Sequence, residues 1–219
     1  MSARNAILGR LQKSLNETNP TRPVPASVDD APEAVSKRLR DKPVSTLPAF
    51  TEDPTERLIK MMEAVQMTVT RVQTTADVVN AVEDYITTES LTGTVTVAPA
   101  LSSMDWPEEF RSGAASGTET TSVTPCLSAV AETGSVVFAS TGDTPSTLNF
   151  LPDNHIVVVN ESQVVRHVDD VWTQLRQASG AHRAINFVTG PSRTGDIEQT
   201  IEIGAHGPRR MHVVLVSGA

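Results

Sequence analysis

Cysteine occurs once in the 219 residues, at position 126. A disulfide within the chain needs two, structural zinc usually two or more, and an iron–sulfur cluster about four thiolates. This chain alone therefore holds none of them, and we expect no resident cofactor, no bound metal and a reducing, cytoplasmic setting. Aromatic residues make up 4% of the chain against a hydrophobic fraction of 38%, so the core must come from Val, Ile, Leu and Ala. No block of Lys or Arg accompanies the net charge of −8. The basic face that a phosphate backbone requires is missing, which argues against nucleic acid as a partner. No apolar run approaches the roughly 20 residues of a membrane span. The first residues are interrupted by Arg4, Arg10 and Lys13, unlike a secretory leader. A soluble protein is expected.

The length suits one α/β domain of about 150–170 residues with an appendage. Ile7, Leu8, Leu11 and Leu15 share one face of a helix over residues 3–17. Between positions 20 and 54 lie seven of the fourteen prolines, which remove backbone donors and disfavour helix. Residues 1–52 thus read as a helix and a Pro-rich arm, and 53–219 as the α/β domain. Within it, helices are expected at 55–66 and around Val78 to Ile86, with a short one at 104–110. Strands are expected at 69–73, 94–98, 119–123, 136–139 and 155–159. A helix over 167–177 turns Val168, Val171, Trp172 and Leu175 inward. The count is about six or seven strands and at least four helices. His155, His167, His182 and His212 show no metal-ligand spacing, and surface or strand-end positions are the default for them.

The chain is organised around residues 185–216. Strand 185–188 runs into Gly190, Pro191, Ser192 and Arg193; residues 194–203 carry helical signals; Gly204 and Gly207 bracket His206; and 211–216 is a second β-branched run. Strand, helix, strand is the grammar of a βαβ unit. Ser192, Thr194 and Asp196 are all candidate helix N-caps. Free amides at a helix start attract anions, and Arg193 adds a fork suited to carboxylate or phosphate. Gly190, Ser192, Arg193, Thr194, Asp196, His206 and Gly207 are the candidate ligand site, for a small anion. The competing readings pair Arg193 with Asp196 or Glu132 as a brace of the sheet and make His206 a brace between the two loops. The loop matches neither a Walker motif nor GxGxxG, and no GxSxG nucleophile elbow occurs. Glu132, in Ala131-Glu132-Thr133-Gly134-Ser135 ahead of a strand, and His206 are the candidate catalytic groups. Cys126, without a nearby His in sequence, reads as a buried structural thiol.

TGPSRTGDIEQTIEIGAHGPRRMHVVLV, the AETGS turn, LPDNHIVVV and the opening RNAILGRL together resemble the lactate utilization protein C family (the LUD domain). The resemblance implies an open, Rossmann-like sheet with helices on both faces, similar to the NagB/RpiA/CoA-transferase-like class. It also implies a non-redox role in oxidising L-lactate to pyruvate, beside partner proteins that carry iron–sulfur clusters; a homo-oligomer is compatible with it. Relatives in the wider fold class use a glutamate with CoA esters, so a free-standing CoA-transferase-like or cyclo-ligase-like enzyme using Glu132 is the alternative.

Overall fold

The computed structural model describes residues 7, 9, 10, 13, 47–177, 182–195 and 202–218. The chain divides into two units, Met1–Leu47 and Pro48–Ala219, and the second holds every element described below. Of the expected helix at 3–17 only Ile7, Gly9, Arg10 and Lys13 are described, all four helical, and most of the Pro-rich arm lies outside the described residues.

Asp53 starts the domain. Its carboxylate accepts from the amides of Thr55 (2.9 Å) and Glu56 (3.2 Å), and Pro54 fills the first helical position, where no donor is needed. The helix α1 (Pro54–Ala64) is too short to persist alone in water. It is held by Leu58 and Met62, both fully buried and worth about 2 kcal/mol each. Strand β1 (Thr68–Val72) follows, then α2 (Val78–Thr88), β2 (Val95–Val97), β3 (Arg111–Ser112), β4 (Thr121–Pro125), β5 (Ser128–Val130) and β6 (Ser135–Ala139). A single turn of helix, α3 (Thr147–Phe150), leads to β7 (Asn154–Asn160), β8 (Val164–Val165) and α4 (Val168–Gln177). The chain closes with β9 (Ile185–Val188), β10 (Arg193–Thr194), β11 (Glu202–Ile203) and β12 (Arg210–Val216).

Six strands form a fully parallel sheet in the order β1-β12-β7-β4-β2-β3. Its central strands, β7 and β12, are apolar on both faces, as a sheet covered on both sides requires. Ile156, Val158, Val214 and Val216 pack with Val78 and Val82 of α2. The alternate residues Val157, Val159, Met211, Val213 and Leu215 pack with α1 and with Ala129, Val136 and Phe138 of a second sheet. That sheet, β8-β5-β6-β9, is mixed, and α4 covers its other face through Val171 against Val130 and Val137. The fold is an α/β sandwich with a parallel centre and helices on both sides of it.

Several expectations need correction. Residues 185–216 are no βαβ unit: β9 pairs antiparallel with β6 in the small sheet, while β12 lies in the parallel one. Residues 194–203 do not form one helix either. Arg193 and Thr194 pair antiparallel with Ile203 and Glu202, because both strands are drawn together by Ser192. Residues 104–110 form turns and no helix. Trp172 is 43% exposed, leaning on Phe187 at 5.5 Å instead of filling the core. His155 and His212, expected at surfaces or strand ends, are 1% and 3% exposed. Among the described residues there are twelve strands, several of only two residues, against the six or seven expected.

Candidate functional site

Antiparallel pairing of β6 with β9, Val136 opposite Val188, sets the AETGS turn beside the first glycine loop. Ser135 Oγ lies 2.6 Å from Thr133 Oγ1 and 2.6 Å from Thr189 Oγ1, a chain of three hydroxyls across the two turns. Both turns press on the end of α1. A Cβ on Gly134 would sit 2.6 Å from the Met61 carbonyl carbon, and one on Gly190 2.5 Å from the Val65 oxygen. Their φ values of +70° and +87° are also ones that side chains rarely adopt.

The second glycine loop closes on the first through Ser192. Ser192 N donates to Pro208 O (2.8 Å), Gly204 N donates to Ser192 O (3.0 Å), and His206 N reaches Ser192 Oγ at 3.4 Å. Gly207 leaves room for the Ser192 side chain, whose Cβ would be 3.3 Å from an added methyl. Ser192, Arg193, His206 and Gly207 therefore lie together, with Thr194 beside them on β10, while Gly190 is buried against Val65. Asp196 lies outside the described residues. Arg193 Nη2 donates to Val65 O at 3.1 Å. It brings a cation to the carbonyl end of α1, whose own last turn has no basic residue. Arg193 thus bonds the end of α1, while Glu132, one of its two expected partners, pairs with His167.

Glu132 belongs to a different pairing. Its Oε2 lies 3.2 Å from His167 Nδ1 and 3.4 Å from the amide of Val168, at the start of α4. Phe50 tilts against the His167 ring at 5.4 Å, with Arg57 and Arg166 over its own ring at 4.4 and 5.2 Å. A carboxylate engaged by a helix start and an imidazole is positioned as a cap. Glu132, one of the two candidate catalytic groups, thus pairs with His167.

The glycine loops sit at the amino ends of the parallel strands. Asp153 O, just ahead of β7, accepts from Arg209 N (2.7 Å) and Arg210 N (3.1 Å) at the start of β12. In open parallel sheets ligands more often lie beyond the carboxyl ends. There the chain places Cys126, buried, with its thiol pushed up to about 12 by desolvation and so inert as a nucleophile. Beneath it, His155 Nε2 is 2.7 Å from Thr124 Oγ1; on the other face His212 Nδ1 is 2.7 Å from Thr68 Oγ1 and its ring stacks on Tyr85 at 3.8 Å. Burial lowers His155 to about 3 and His212 to about 4, so both are neutral near pH 7. His155 is the second residue of β7 (NHIVVVN) and His212 the third of β12 (RMHVVLV), each directly ahead of an apolar run. That placement inside a two-sided buried strand was the signal that could have revealed them.

The profile of the LUD domain matches residues 55–216, the whole of both sheets. The chain belongs to the LUD domain family. Curated relatives called lactate utilization protein C are 36% identical over 92 residues in Bacillus subtilis (strain 168), covering 40% of this chain and 38% of theirs. The counterpart in Deinococcus radiodurans is 35% identical over 95 residues, covering 43% of this chain and 45% of its own. This LUD protein thus spans about two fifths of the length of the curated relatives it matches. The solved structure of a DUF162 family protein from Deinococcus radiodurans superposes with a TM-score of 0.52 at 21% identity, covering 77% of this chain and 99% of that one. It is a likeness of fold. Among the described residues, no helix is long and apolar enough to cross a membrane.

Proposed function

We propose that this LUD protein is a non-redox component of a lactate-utilization system, working beside partners whose iron–sulfur clusters oxidise L-lactate to pyruvate. The observation that carries this reading is its similarity to proteins called lactate utilization protein C. Its single cysteine supports the division of labour, since a cluster takes about four thiolates that must come from elsewhere. The ligand we assign to the convergent glycine loops is a small carboxylate. Arg193 uses Nη2 on Val65 O, and the remaining N–H groups of its fork can take an anion beside Ser192 and Thr194. The engaged state of Glu132 disfavours the alternative of a CoA-transferase-like nucleophile.

The test is co-purification of the tagged chain from lactate-grown cells. Cysteine-rich partners bearing cluster absorbance are expected with it, and the isolated chain should not turn lactate over. Lactate oxidation at enzyme-like rates by the purified chain with an artificial electron acceptor would refute the assignment.

A further inference from the structure

The strand order reverses once between neighbours. From β2 the chain moves outward to β3, whereas from β4 it moves the opposite way, to β7. Loops leaving β2 and β4 therefore diverge, and a crevice opens at their carboxyl ends, the position at which open α/β sheets bind ligands. A cleft of about 250 Å³ lies there, walled by Pro125, Cys126, Leu127 and Phe138 and rimmed by Asp143 and His182, among others.

Its walls are fixed. Ala100 N, just past β2, donates to Asp143 O at 3.1 Å, and Thr144 Oγ1 donates to Ala139 O at 2.8 Å, so the rim is tied to both sheets. Gln163 Nε2 donates to Cys126 O at 2.8 Å. The Phe138 ring rests on the His155 ring at 5.2 Å, and His155 is in turn held by Thr124. The chemistry of the lining is specific. Pro125, Leu127 and Ala139 offer partly exposed apolar surface, backed by the buried Phe138 and Cys126, on which a flat π-system packs well. A dry apolar cavity of about 150 Å³ holds benzene, so this one takes a bicyclic ring. Among the described lining residues there is no Lys or Arg, and Asp143 repels an anion.

We propose that this crevice is a binding site for a small, uncharged, planar aromatic molecule carrying a hydrogen-bond donor. The ring packs on Pro125, Leu127 and Ala139, and the donor faces the rim that carries Asp143. The site is separate from the glycine loops, at the opposite end of the parallel strands, and does not depend on the role proposed for them.

The experiment is an amide NMR titration of the full chain with indole, and with benzoate as an anionic ring of similar size. Indole should give saturable shifts at Leu127, Ala139, Thr144 and His182, with Ser192 and Gly204 unmoved, and benzoate, repelled by Asp143, should bind at least about tenfold more weakly. Ala139→Phe, which fills the cleft, should weaken indole at least about tenfold at unchanged melting temperature. If that variant fails to fold, Thr141→Trp at the exposed mouth takes its place. No saturable shift up to the solubility of indole, shifts that map elsewhere, equal binding of benzoate, or full affinity in the filled variant would each overturn the proposal.

Discussion

Glu132 Oε2 lies 3.2 Å from Nδ1 of His167. The pair ties the AETGS turn to the start of α4, since the same oxygen faces the amide of Val168. A carboxylate there satisfies an otherwise unpaired helix donor and meets the positive end of the helix dipole.

Removing that carboxylate should therefore cost stability. Glu132→Ala is expected to destabilise the domain by about 1–2 kcal/mol, and Glu132→Gln, which still accepts a hydrogen bond, by about 0.5 kcal/mol. Urea denaturation followed by circular dichroism measures both. An alanine variant as stable as the parent would show that the contact contributes nothing to α4.

The two buried histidines make stability depend on pH. Their folded values, about 3 and about 4, lie below the ordinary 6.5, so the unfolded chain binds protons more readily. Their neutral burial is without penalty above pH 6.5, and stability falls as pH drops from 6.5 toward 4, at up to about 1.4 kcal/mol per pH unit for each histidine. His155→Gln and His212→Gln should each flatten the slope between pH 6.5 and 4.5. Unchanged slopes in the double variant would contradict the assignment.

Glu119 acts with the same direction in a lower window. Its carboxylate accepts from Ser116 Oγ (2.6 Å), Ser116 N (2.7 Å), Gly117 N (2.8 Å) and Thr118 N (3.1 Å), led by the Ser116 hydroxyl, and these bonds hold it at about 2. The stabilisation is present above the ordinary 4.5 and is lost as pH falls toward 2. Glu119→Gln should lower the melting temperature at pH 6 and leave it nearly unchanged at pH 2.5. Equal losses at both would point to packing.

Gly134→Ala puts a methyl 2.6 Å from the backbone of Met61 at a φ of +70°. Neither the turn nor the helix backbone can yield cheaply, and a loss of about 3 kcal/mol is expected from combined strain and overpacking. Thermal unfolding should show it. The same change at Gly142, where an added Cβ meets nothing within 4 Å, is the control and should be near neutral.

The sequence by itself determined the class of fold and the family. Val-rich runs at 94–98, 136–139, 155–159 and 211–216 read as strands, and Leu58, Met61, Met62 and Val65 at helical spacing read as a helix. These are properties of a few neighbouring residues, which is why they are legible one segment at a time. The motif residues at 190–193 and 204–207 were likewise visible, and the structure joins them through Ser192.

Tertiary structure decided the rest. Whether 185–216 formed a βαβ unit depended on β9 finding β6, some 50 residues back, over any parallel neighbour, and no local pattern encodes that choice. The partner of Glu132 was settled the same way, by packing that brought His167 and not His206 to its carboxylate. The crevice between β2 and β4 exists only because strand order reverses there, a property of the assembled sheet that no stretch of sequence carries.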